Sequence, residues 1–217
     1  MNTFSVLFIA ALAASTAVQL WLAGRQQAHV QAHRKQVPGA FAERVAPDEH
    51  RKAADYTVTN TRFGMLELVY GAVLLLAWTL GGGLDWLDQA WRAAGLGTLA
   101  TGIAFMLSAM VIMALLDLPF NVYHTFSIEE RFGFNRTTPR VFVTDLIKQG
   151  ILLLVIGAPL LGVALWIMNA AGGLWWLYVW LVWMGFTLVM FWAYPAVIAP
   201  LFNKFTPLEN ESLKARI

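Results

Sequence analysis

The run Ile151-Leu-Leu-Leu-Val-Ile-Gly-Ala-Pro-Leu-Leu-Gly-Val-Ala-Leu-Trp-Ile-Met-Asn-Ala-Ala-Gly-Gly-Leu-Trp-Trp-Leu-Tyr-Val-Trp-Leu-Val-Trp-Met-Gly-Phe-Thr-Leu-Val-Met-Phe-Trp-Ala-Tyr194 contains no charged residue. A helix that crosses a bilayer needs roughly 20 mostly apolar residues. The run therefore reads as two spans, about Ile151–Met168 and Leu174–Tyr194, with Gly172-Gly173 as the turn between them. Pro159 predicts a kink in the first. In lipid each span must be helical, because every backbone polar group needs an internal partner.

Working outward, three more segments qualify: about Thr3–Ala23, Met65–Leu80 and Leu96–Leu118. The composition agrees, with 59% hydrophobic residues, 13% charged and ten Trp and a mean hydropathy of +0.60. A soluble domain carries about 25% charged residues. The expected fold is an all-α polytopic transmembrane helix bundle of about five spans, one membrane domain over residues 1–217. Its first partner is the lipid bilayer. The first span is not read as a signal peptide, since Met1-Asn-Thr-Phe4 lacks a positive region before it. With no cysteine there is no disulfide framework and no thiol chemistry. Trp166, Trp175, Trp176 and Trp180 read as interfacial belts.

The basic residues sit in alternate loops, which argues against a nucleic-acid partner and gives an orientation. Arg25, Arg34, Lys35, Arg44, Arg51, Lys52 and Arg62 lie between spans one and two. Only Arg92 lies in the second loop, while Arg131, Arg136, Arg140 and Lys148 follow span three. By the positive-inside rule the N-terminus is expected outside. Loops one and three, and residues after about 195, are expected in the cytoplasm. The alanine-rich, short-loop style suggests a bacterial inner membrane.

Helix signals extend the cytoplasmic side. Ala46-Pro47-Asp48-Glu49 reads as a helix start, and the second helix is expected from about Asp48 to Leu80. Thr138-Pro139 predicts a start running into span four. Ser127–Glu130 fits a capping box for a short helix that Gly133 ends. Thr206-Pro-Leu-Glu209 fits the same box, after two turns on Pro195 and Pro200. The sequence given stops soon after that helix opens, so it is expected to be the front part of something longer. The outer loops, with Gly81-Gly-Gly83 and Gly172-Gly173, look short.

Chemistry is sparse. His29 and His33 are four apart, but Val30 stands where the metalloprotease pattern His-Glu-x-x-His needs its water-activating Glu. No catalytic residue and no metal ligand is assigned in this chain. Glu129 and Glu130, beside Arg131, read as a charged capping turn with local salt bridges, or as an acid/base pair or a substrate-facing cluster. Asn121, His124 and Asn135 share that loop and are candidates to line a chamber, with capping and packing as the plainer role. No charge lies at mid-membrane, which argues against an ion-coupled transporter. A free-standing membrane scaffold or binding subunit is the alternative reading.

Two long segments carry a resemblance. Leu118-Pro-Phe-Asn-Val-Tyr-His-Thr-Phe-Ser-Ile-Glu-Glu-Arg-Phe-Gly-Phe-Asn135 resembles the signature loop of the type I CAAX prenyl proteases, and Ile198-Ala-Pro-Leu-Phe-Asn-Lys-Phe-Thr-Pro-Leu208 is similar to the segment after the fifth helix of that family. Val37-Pro-Gly-Ala-Phe41 with Lys52-Ala-Ala-Asp-Tyr-Thr57 is a weaker third match. The resemblance implies an integral-membrane zinc endopeptidase that cleaves a peptide or protein substrate in a helix-walled chamber. Eukaryotic members trim the last three residues from prenylated proteins. It also implies that zinc is bound by two His of His-Glu-x-x-His and a later Glu, all in a downstream catalytic domain. That domain would be this chain's partner. Five of the family's seven spans are present, so the chain alone is expected to be inactive. Glu129, Glu130, Asn135, Asn203 and Lys204 sit in the matched segments and are expected to support the interface with the catalytic half. The substrates implied are CAAX-type proteins or, in a bacterium, membrane proteins under quality control.

Overall fold

The computed structural model describes residues 2–41 and 43–203. Among them every regular element is helical. Six helices carry the described residues: α1 Thr3–Ala32, α2 Pro47–Thr79, α3 Gly83–Ala93, α4 Thr98–Phe132, α5 Pro139–Ala170 and α6 Gly172–Phe202. All but α3 are long and apolar enough to cross a membrane. Large apolar side chains stand on their outer surfaces, with Phe191 86% and Phe4 76% exposed. Faces of that kind are stable in lipid and not in water. The protein is an all-α, polytopic integral membrane protein.

The helix starts follow the sequence signals. Pro47 opens α2 with Asp48 and Glu49 in its first turn, where the macrodipole favours acids and Pro loses no bond. Pro139 is likewise the first residue of α5, with no acid in the first turn there. Other boundaries differ from expectation. α1 does not stop at Ala23 but runs on to Ala32, because no residue after Arg25 breaks a helix. α4 does not stop at Leu118. Pro119 lies inside it, and the Tyr70 hydroxyl donates to the carbonyl of Leu116 at 2.8 Å, beside the carbonyl whose donor the proline removes.

Three wide turns with the five-residue π repeat interrupt the helices: His124–Glu129 in α4, Leu153–Gly157 in α5 and Tyr194–Ile198 in α6. The expected capping box at Ser127–Glu130 is therefore absent; Ser127 lies within the first wide turn and no new helix begins there. The turn at Leu153–Gly157 lies just before Pro159, at the place of the expected kink. Pro195 and Pro200 do not turn the chain out of the helix. Pro195 sits in the third wide turn, where the Ala199 N–H bonds to Tyr194 O, five residues back. An added residue gives the ring room that a regular turn would deny it. The second loop is also not a plain turn, since it holds α3. The Thr206–Glu209 box lies outside the described residues.

The chain divides into two compact units, residues 1–96 with 108–138, and residues 97–107 with 139–217. In the first, α1 and α2 form a hairpin. Trp91 Nε1 of α3 donates to Ser108 Oγ of α4 at 2.8 Å. In the second, Leu107 and Leu165 approach glycines of the facing helix. A Cβ on Gly102 would meet Leu165 Cδ1 at 2.9 Å, and one on Gly157 would meet Leu107 Cδ2 at 3.4 Å. Close approach at small residues is how helices associate where lipid offers no hydrophobic drive.

Candidate functional site

The segment Leu118–Asn135 is built against one face of α2. Tyr56, Asn60, Phe63 and Tyr70 recur on that face at helical spacing. Tyr70 stacks on Phe120 with centroids 4.4 Å apart. Phe63 meets Phe120, Tyr123 and His124 at 5.8, 5.3 and 5.9 Å. Tyr56 meets Phe132 and Phe134 edge-on at 5.4 and 4.8 Å. Phe63, Ile128 and Phe132 form the buried centre. Packed aromatic pairs contribute about 0.5–1.5 kcal/mol each beyond their burial, so this seam fixes the end of α4 firmly on α2.

The candidate polar residues hang on that seam in two pairs. His124 Nε2 lies 2.8 Å from Asn60 Oδ1, so the ring donates there. Its Nδ1 faces Glu129 Oε1 at 3.7 Å, an ion pair only when the imidazole is protonated. His124 and Glu129 are both about one-third exposed. The wide turn re-aims these side chains relative to a regular helix, and wide turns of this kind occur often at functional sites. Asn60 escaped the sequence reading because its partner is 64 residues away. The second pair is internal to the loop. Asn135 Nδ2 donates to Glu130 Oε2 at 2.9 Å, and Asn135 Oδ1 accepts from the Thr137 N–H at 2.7 Å. Asn121 stands exposed on α4.

Gly133 ends the helix, as expected. Its φ is +74°. The Gly133 N–H bonds to Glu130 O at 3.0 Å and the Phe134 N–H to Glu129 O at 2.9 Å. This is the Schellman pattern, which satisfies the last carbonyls.

The other matched segment lies in the second unit. Lys148 Nζ of α5 donates to Leu201 O at 2.7 Å and to Asp145 Oδ1 at 3.1 Å. A cation there caps the free carbonyls at the end of α6. Asn203 leaves the helix in extended conformation, its N–H bonded to Ala199 O. It lines an open cleft of about 440 Å³ with Gln149, Leu153, Tyr194 and Phe202. Lys204 lies outside the described residues.

The described residues do not fit a zinc ion. No group of three or more His, Cys, Asp or Glu comes together among them. His29 and His33 share a helix face, with ring centroids 4.3 Å apart. Yet His33 Nδ1 is bonded to His29 O at 2.9 Å, and His50 Nε2 to His33 O at 3.1 Å. A carbonyl only accepts, so those ring nitrogens carry protons and are closed to a metal.

Known proteins resemble this chain along most of its length. Residues 26–204 match the family model described as CAAX prenyl protease N-terminal, five membrane helices. The CAAX prenyl protease 1 homolog of Caenorhabditis elegans is 31% identical over 98% of this chain and 48% of its own length. That of Mus musculus is 33% identical over 97% of this chain and 46% of its own. A crystal structure of S. mikatae Ste24p superposes with a TM-score of 0.86 at 25% identity, covering 100% of this chain and 51% of that one. The chain thus spans about half the length of the relatives it matches. It belongs to the CAAX prenyl protease family, of which it carries the N-terminal part with five membrane helices.

Proposed function

We propose that this chain is the membrane domain of a zinc-dependent endopeptidase that cleaves peptide bonds in a helix-walled chamber, with the zinc and its ligands supplied by a catalytic domain outside residues 1–217. The observation that carries this reading is the family match over residues 26–204. It is supported by the lack of any His-Glu-x-x-His in the sequence. On this reading the chain alone hydrolyses nothing. Asn121, His124, Glu129, Glu130, Asn135, Asn203 and Lys204 belong to the chamber wall or to the interface with the catalytic domain. Phe63, Ile128 and Phe132 hold the first of those segments in place.

The substrate is a peptide or protein delivered at the cytoplasmic side, either a CAAX-type protein or a membrane protein under quality control. The protein resides in a bacterial inner membrane with its N-terminus outside. Two substrates separate the alternatives. The complete gene product in liposomes is offered a prenylated CAAX peptide and an unprenylated, unfolded membrane segment. Cleavage of either, abolished by a zinc chelator, supports the reading, and the preferred one names the class. Chelator-insensitive cleavage, or none of either substrate by zinc-loaded protein, contradicts it and leaves a non-catalytic scaffold.

A further inference from the structure

The first unit holds an open cleft of about 510 Å³ between α1, α2 and the end of α4, away from the His124 pair. Arg34, Arg62 and Arg131 line it with a single carboxylate, Asp55. Asp55 is already committed. Arg34 Nε and Nη2 donate to its two oxygens at 2.6 Å each, and that bond holds the Arg34 guanidinium above its ordinary pKa. Arg62 is different. Its guanidinium lies against the Gln27 side-chain amide, whose oxygen, once the amide is turned over, accepts from Nη2 and Nε at 3.2 Å. A neutral partner orients the guanidinium and leaves its charge intact. Arg131 lies with its Cζ 5.6 Å over the Phe132 ring. Among the described residues neither Arg62 nor Arg131 has a carboxylate in ion-pair range. Asp55 also feels the charge of Arg131, but three guanidinium groups to one carboxylate leave the cleft with excess positive charge, which raises the local potential and favours an anion.

From this we infer that the cleft binds a phosphate group, and that the phosphate belongs to an anionic membrane lipid. A guanidinium carries five N–H donors, and those that the Gln27 contact leaves free match phosphate oxygens in pairs, which a point charge cannot do. The source follows from depth. Arg62 stands three residues before Met65, where the apolar part of α2 begins, so about 5 Å beyond the hydrocarbon by the rise of a helix. The headgroup zone is about that thick on each side. At a similar level on α1, Arg25 lies 4.9 Å over the Trp21 ring, an arrangement suited to the interface. Arg131, on the last turn of α4, faces the same cleft. A lipid phosphate at that level lies within reach of the forks, whereas a soluble phosphate must compete with the anionic surface.

The test uses the full 217-residue chain in nanodiscs of phosphatidylcholine with phosphatidylglycerol. Lipid retained on the protein is read by native mass spectrometry. The expected result is preferential retention of phosphatidylglycerol, weakened roughly five- to tenfold by Arg62→Gln or Arg131→Gln. Arg92→Gln, on α3, leaves it unchanged. Arg62→Lys and Arg131→Lys keep the charge without the fork and serve where a Gln variant fails to fold; each is expected to lower retention partly. Equal retention of the two lipids, or retention unaffected by both the Gln and the Lys variants, overturns the proposal. Binding of inorganic phosphate in detergent, with no lipid selectivity, overturns the lipid assignment.

Discussion

Gly133 illustrates how much of this protein rests on single residues. With φ at +74° it occupies a region that costs an L-residue with a side chain roughly 1–2 kcal/mol. Space is not the obstacle, since a Cβ there would meet only Lys52 Nζ at 3.6 Å. Gly133→Ala should therefore lower stability in detergent by about 1 kcal/mol through the backbone alone, read as a fall in thermal midpoint. An unchanged midpoint would mean that the Schellman closure does not hold the end of α4. At the same scale, Asn60 and His124 are joined at 2.8 Å. A double-mutant cycle of Asn60→Ala and His124→Ala should show a coupling of about 0.5–1.5 kcal/mol. Additive effects would mean that the pair is a neighbour contact and not a bond that positions the wide turn.

At the scale of elements, the seam between α2 and the end of α4 is the principal device. Phe63 is 8% exposed at its centre. Phe63→Ala should cost about 3–5 kcal/mol, seen as a lower melting midpoint with helical content retained at low temperature. Phe191→Ala, at a residue 86% exposed, should leave the midpoint nearly unchanged. Equal losses from the two would place the stabilising contacts elsewhere. Helix starts were legible in the sequence because Pro47 and Pro139 act locally, through a missing N–H and a preset φ. The wide turns were not legible. Pro119 and Pro195 read as stops, yet Tyr70 bonds the carbonyl of Leu116 beside the one that Pro119 leaves free, and an added residue makes room for Pro195; these are tertiary and register effects. α3 was missed for another reason. Its neighbouring Gly81-Gly-Gly83 reads as a turn, and its apolar residues Leu84, Leu87 and Trp91 are too few to stand out beside the spans. Of the candidate residues, the sequence singled out the segment but not the pairing of His124 with Asn60 and Glu129, which only the α2 face defines.

For the whole molecule, the lack of cysteine makes topology directly measurable. A cysteine placed at Gln36 should react with a membrane-impermeant maleimide only from the cytoplasmic side, and one placed at Gly95 only from the outside. The reversed pattern would invert the orientation, and labelling of both from one side would contradict an odd number of crossings between them. The mutual placement of chemistry and scaffold is the larger question. These residues supply helices, a seam and two matched segments, and no three metal-ligating side chains gather among those described. The proposed placement of the zinc in a catalytic domain outside residues 1–217 is open to direct measurement. It is tested most directly by metal content and peptide hydrolysis, measured side by side in the same liposomes for residues 1–217 and for the complete gene product that contains them. The expected result is about one zinc per chain and chelator-sensitive hydrolysis for the complete product, and neither for residues 1–217. Stoichiometric zinc with hydrolysis by residues 1–217 alone, or a complete product that binds no zinc and cleaves nothing, would contradict it.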